Sequence, residues 1–104
     1  MFRQVVMFTW AEGVSPEAKA AMCDAIDAMR AIPELLAMEH GDDAGHFPDN
    51  YDHVMVADFA SFESARRYVA HPLHQTYVTE FASKLMDKRV VVQHDWDPAG
   101  TTSP

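Results

Sequence analysis

One cysteine, Cys23, occurs in the 104 residues, which excludes a disulfide within the chain. A reactive thiol needs an electropositive, partly exposed setting, whereas Met22 and Ile26 beside Cys23 predict a packed helical position. Basic residues are also scarce: eight Lys and Arg stand against sixteen Asp and Glu, for a net charge of −8. No basic patch forms, so nucleic acid and anionic membrane surfaces are excluded as expected partners. The acidic residues are scattered, Asp42-Asp43 being the tightest group, and read as a solvated surface. Long apolar runs are missing too. Arg3 is followed only by the short stretch Val5 to Phe8, too short for a secretory core or a membrane span, and a cytoplasmic location is expected by default.

What remains is an ordinary globular composition, 48% hydrophobic and 23% charged, of a length that suits one domain. A domain this small buries only about 60–70% of its unfolded surface, which favours further burial by self-association. The boundaries expected are a domain over residues 1–97 and a disordered tail over 98–104, where Pro-Ala-Gly-Thr-Thr-Ser-Pro offers nothing to bury.

Phe2 to Trp10 is rich in β-formers and apolar on both faces, and so predicts a strand covered on both sides. Ser15-Pro16-Glu17 is a helix start, with Ser15 as N-cap and Pro16 at the first helical position. Ala18, Met22, Ala25, Ile26 and Met29 then fall at helical spacing, and Pro33 ends the run. Leu35 to His40 reads as a second strand, Gly41 to Asn50 as a loop, and Tyr51 to Phe59 as a third strand whose His53 shares a face with Met55. Ser61 caps a short helix that His71-Pro72 breaks. A further helix is expected from Leu73 to Met86, and a last strand from Val90 to Trp96.

The order β-α-β-β-α-α-β predicts an α+β, ferredoxin-like protomer with a four-stranded antiparallel sheet. Helices cover one face of such a sheet. Val5, Met7, Val54, Val56 and Val91 are expected on the other, which a second copy would cover.

The densest chemical signal is Tyr68-x-x-His71-Pro72-x-His74-x-x-Tyr77 at a helix-to-helix corner. His titrates near neutral pH and Tyr donates a hydrogen bond, a pairing suited to proton transfer at a carbon activated by a carbonyl. A purely structural corner accounts for the same residues equally well, since Pro72 constrains His71. Val6, Phe8, Met22, Ile26, Met55, Phe81 and Trp96 are expected between sheet and helices, as pocket lining or as filled core. His94 alternates with Val92 and Trp96 and either faces that pocket or packs in the core, while His40 and His46 look solvated. His71 and His74 lack a third ligand at any sequence spacing, so no metal and no cofactor is expected.

Tyr68-Val69-Ala70-His71-Pro72-Leu73-His74, preceded by Asp52-His53-Val54 and followed by a strand ending Asp95-Trp96, resembles the stress-responsive dimeric α/β-barrel (Dabb) family from Arg3 to Trp96. The resemblance implies a homodimeric barrel made of two ferredoxin-like sheets. Members include plant stress proteins, a hydroxynitrile lyase and the polyketide cyclase that makes olivetolic acid. By that resemblance His74 is the base and Tyr68 the residue that orients or polarises the substrate, with His53 as a second pocket histidine. The cyclase carries a histidine on its first strand where this chain has Gln4, a departure that weakens the case for the same substrate. Val6, Phe8, Met55, Gln4 and Trp96 complete the expected binding set for a small apolar or aromatic molecule. The alternatives are a non-catalytic stress-response dimer and a cofactor-free monooxygenase of the same barrel superfamily.

Overall fold

The computed structural model describes residues 1–100. Strand β1 (Phe2–Trp10) leads through a turn at Gly13, whose φ of +79° suits a residue without a side chain, into helix α1 (Pro16–Ala28). The Ser15 hydroxyl caps α1 by accepting from the Ala18 N–H at 3.1 Å. A single 3₁₀ turn, Met29–Ala31, closes α1 before strand β2 (Ala37–Asp42) and strand β3 (His53–Phe59). Helix α2 (Phe62–Ala70) starts at Ser61, whose hydroxyl accepts from the Ser64 N–H. Helix α3 (Pro72–Tyr77) begins at the His71 corner, where His71 Nδ1 accepts from the Leu73 N–H at 3.1 Å. It runs on through a π-helical stretch, Val78–Ala82, and a last turn, Ser83–Leu85, into strand β4 (Met86–Asp95).

All pairs in the sheet are antiparallel and the order is β2-β3-β1-β4, the ferredoxin-like arrangement expected from the sequence. On the helix-covered face lie Phe2, Val6, Phe8, Met38, Met55, Ala57 and Phe59, packed against Met22, Ile26 and Met29 of the α1 side. The burial alternates with strand period two and helix period 3.6, as one covered face requires. At the start of the expected tail Asp97 caps a turn that the Gly100 N–H closes onto the Asp97 carbonyl at 3.0 Å. Residues 101–104 of that expected tail lie outside the described residues.

Several boundaries differ from the sequence reading, two of them with consequences for the site. Strand β2 sits two residues later and takes in Gly41 and Asp42, and β4 begins at Met86 rather than Val90. The register with β1 fixes the parity that Val90-Val91-Val92 could not reveal. Val91 pairs with Val6 and therefore sits on the helix-covered side, not on the open face where it was expected. Val90, Val92 and His94, opposite Met7, Val5 and Arg3, take the open face instead.

Val5, Val54 and Val56 are half-buried on that open face, and Met7, Val90 and Val92 are exposed. At its end Arg3 makes a two-pronged ion pair with Asp58, at 2.8 and 3.0 Å, and stacks on the Trp96 ring at 4.1 Å. The molecule measures 45 × 35 × 17 Å, one sheet and one helix layer thick. Among the described residues no helix is long and apolar enough to cross a membrane.

Candidate active site

Pro72 cannot continue α2, so the chain turns at His71 and restarts as α3 with Tyr68 and His74 on the two sides of the corner. The His74 ring meets Tyr68 edge-on at 4.8 Å between centroids and Tyr77 at 5.9 Å. The three side chains border a pocket of about 220 Å³ between the helices and the sheet. Gln4, Val6, Met55 and Val91 form its floor, and Val78, Ala82, Met86 and Arg89 its far side. Sites for drug-sized ligands run to about 300–1,000 Å³, so this one suits a smaller molecule.

The corner brings an acid and a base into different protonation states. Burial lowers His74 from its ordinary 6.5, a hydrogen bond to the Val69 backbone partly opposes it, and Arg89 adds a smaller lowering. His74 is thereby held neutral at pH 7. Burial pushes the Tyr68 hydroxyl up to about 12 and raises Tyr77 as well, so both phenols stay protonated and can donate. Their partners are soft: Tyr68 O–H donates to Met29 Sδ at 3.6 Å and Tyr77 O–H to Met55 Sδ at 3.5 Å. A thioether is a weak acceptor, so a carbonyl oxygen entering the pocket would compete well for either hydroxyl.

Of the lining expected from the sequence, Val6, Met55 and Gln4 are in place, with Gln4 Oε1 accepting from Gln93 Nε2 at 2.7 Å. Phe8 does not line the pocket. It is fully buried core, edge-on to Trp10. Trp96 is on the opposite face, beyond the end of β4 and stacked under Arg3, because its parity follows His94 and not Gln93. His94 is exposed on that same face, its ring hydrogen-bonded to the Asp95 carbonyl. His53 points to the helix-covered side as its parity demands, yet it does not reach Tyr68 and His74. Its place is two positions along β3 from Met55, against Phe8 and His40.

Sequence reasoning missed Arg89, the one cation at the pocket, because the start of β4 was placed after it. Also unanticipated was His40: rather than solvated, it is half-buried and bonded to both Asp27 and His53. A larger, shallower hollow of about 390 Å³ is bordered by Met7, Val54, His53 and the loop residues Asp43, Asp49, Asn50 and Tyr51.

The fold, the corner and its flanking strands together match a known family model, that of the stress responsive A/B barrel domain, over residues 2–96. The chain belongs to the Dabb family. A curated relative, the stress-response A/B barrel domain-containing protein HS1 of Arabidopsis thaliana, is 27% identical over 95 residues, covering 88% of this chain and 86% of its own. A dimeric ferredoxin-like protein from Thermobifida fusca superposes with a TM-score of 0.83 at 31% identity, over 91% of this chain and 90% of its own. The hydroxynitrile lyase of Passiflora edulis shares the fold, with a TM-score of 0.84 at 19% identity over 99% of this chain and 96% of its own.

Proposed function

We propose that this Dabb protein is a homodimer that binds a small carbonyl-containing molecule in the His74 pocket and acts on it by cofactor-independent proton transfer, as a cyclase or lyase. The observation that carries this reading is one cavity holding a histidine kept neutral by burial beside tyrosines kept protonated by burial. His74 would take a proton from a carbon next to the carbonyl. Tyr68 would turn from Met29 to donate to the oxygen as negative charge grows there. Arg89, at the pocket edge, adds a positive field that favours an enolate or an anionic substrate.

The homodimer is supported by the apolar open face of the sheet and by the dimeric Thermobifida fusca relative. The stress-response relative in Arabidopsis thaliana favours a second reading, in which the same pocket binds an apolar metabolite without turnover. A panel of poly-β-ketones, cyanohydrins and polyphenols, assayed with wild type, His74→Ala and Tyr68→Phe, separates the two. Catalysis predicts turnover that His74→Ala abolishes and that Tyr68→Phe lowers about a hundred- to a thousand-fold with binding retained. Binding without turnover of any panel member, or His74→Ala as active as wild type, favours the metabolite-binding reading.

A further inference from the structure

Away from the His74 pocket, four side chains from α1, β2 and β3 form a continuous polar chain. Asp27 Oδ1 lies 2.8 Å from His40 Nε2, His40 Nδ1 lies 3.0 Å from His53 Nε2, and His53 Nδ1 lies 2.8 Å from Asp42 Oδ1. An ionised carboxylate only accepts, so the ring nitrogens facing Asp27 and Asp42 must carry the hydrogens. A neutral imidazole has one N–H. The inner nitrogens, His40 Nδ1 and His53 Nε2, are then two lone pairs facing each other at hydrogen-bond distance. Such a contact is favourable only with a positively charged particle to share.

A third donor stands beside them. The Cys23 sulfur and one nitrogen of each ring all lie within 4.8 Å of one another. We propose that Cys23, His40 and His53 form a binding site for a divalent transition-metal ion of the zinc type. One thiolate and two imidazoles are a zinc donor set that leaves a fourth position open. Zinc–nitrogen bonds of about 2.0–2.1 Å at a tetrahedral angle set the two nitrogens about 3.3 Å apart, close to the distance already present. The sulfur needs to approach by only about 1 Å, within reach of a rotation about its own χ1.

The outer shell is that of a metal site as well. Each ring gives its remaining N–H to a carboxylate, the arrangement that fixes the tautomer and sharpens the basicity of a metal-bound histidine. Asp24, Asp27 and Asp42 lie near enough to the Cys23 thiol to act on it electrostatically, and their negative field favours a cation. His53 is buried while Cys23 and His40 are only half-buried, which leaves an approach beside the edge strand β2. None of these residues lines the His74 pocket, and only Cys23 is near enough to act electrostatically on one of its side chains, Tyr77.

The test is titration of the reduced full-length protein with Zn²⁺ by calorimetry and with Co²⁺ by absorption spectroscopy. The expected result is one equivalent per chain, a thiolate-to-cobalt charge-transfer band, tetrahedral ligand-field bands, and a Tm that rises with zinc. Cys23→Ser should lose the charge-transfer band and bind zinc at least about ten-fold more weakly, and Asp27→Asn should weaken it about 10–100-fold. Both positions are at least partly exposed, so both variants should fold, which circular dichroism checks. Absence of saturable uptake would overturn the proposal and leave a shared proton between the rings. Uptake that Cys23→Ser leaves unchanged would overturn it too, as scavenging by surface histidines.

Discussion

Single residues divide by whether their partners are near in sequence. Tyr68, His71 and His74 sit within seven positions of one another, and Pro72 fixes the bend between them, so the corner was legible without a structure. His40 was not, because Asp27 and His53 reach it from α1 and β3, and nothing local distinguishes a loop histidine from a bridged one. Asp58 is a similar case. The two-pronged bond from Arg3 holds its carboxyl below the usual carboxylate range. A carboxyl with a depressed native pKa contributes stability that is present above its unfolded pKa of about 3.9 and lost as pH falls through the native value. Urea unfolding at a series of acid pH values should therefore show wild type losing more stability below about pH 4 than Asp58→Asn does. Equal losses in the two proteins would show that the ion pair contributes nothing there.

At the scale of elements, helix starts were readable from Ser15-Pro16 and Ser61, where a capping hydroxyl precedes the first turn. The last helix and strand were less so. Leu73, Tyr77, Phe81 and Leu85 suggested one unbroken α-helix, but Tyr77 and Ala82, five residues apart, are the buried pair. That interval is the i to i+5 spacing of the π-helical stretch Val78–Ala82, which turns Val78 and Ala82 toward the pocket. The sequence shows no proline or glycine there to announce it. Val90-Val91-Val92 misled for a related reason: three identical apolar residues carry no alternation, so only the register with β1 decides which faces the helices. Helix α1 is held by a short inner stripe, Met22, Ile26 and Met29, none of it exposed. Ile26→Ala should cost about 2–5 kcal/mol in urea unfolding. A loss below about 1 kcal/mol would mean that α1 repacks freely over the sheet.

For the whole molecule, a slab 17 Å thick with one helix layer leaves a valine-rich sheet face open, and the number of valines on that face, rather than any single motif, marks it for self-association. Light scattering coupled to size exclusion should give twice the 11.7 kDa chain mass for wild type. Val56→Asp, half-buried at the centre of that face, should shift the population to monomer or unfold the chain, since an unpaired buried carboxylate is strongly unfavourable. A monomeric wild type at micromolar concentration would contradict the paired-sheet architecture. The proposed function is tied to the same molecule through His74, which burial in the pocket keeps neutral. The most direct measurement is kcat/KM against pH, from about 5 to 8, for wild type and His74→Ala on the best substrate of the panel. Because burial lowers His74, the wild-type rate should rise with pH through a single ionisation below 6.5 and level off by neutrality, and His74→Ala should lack that limb. A rate that falls over this range, or a rising limb that survives in His74→Ala, would contradict the assignment of His74 as the base.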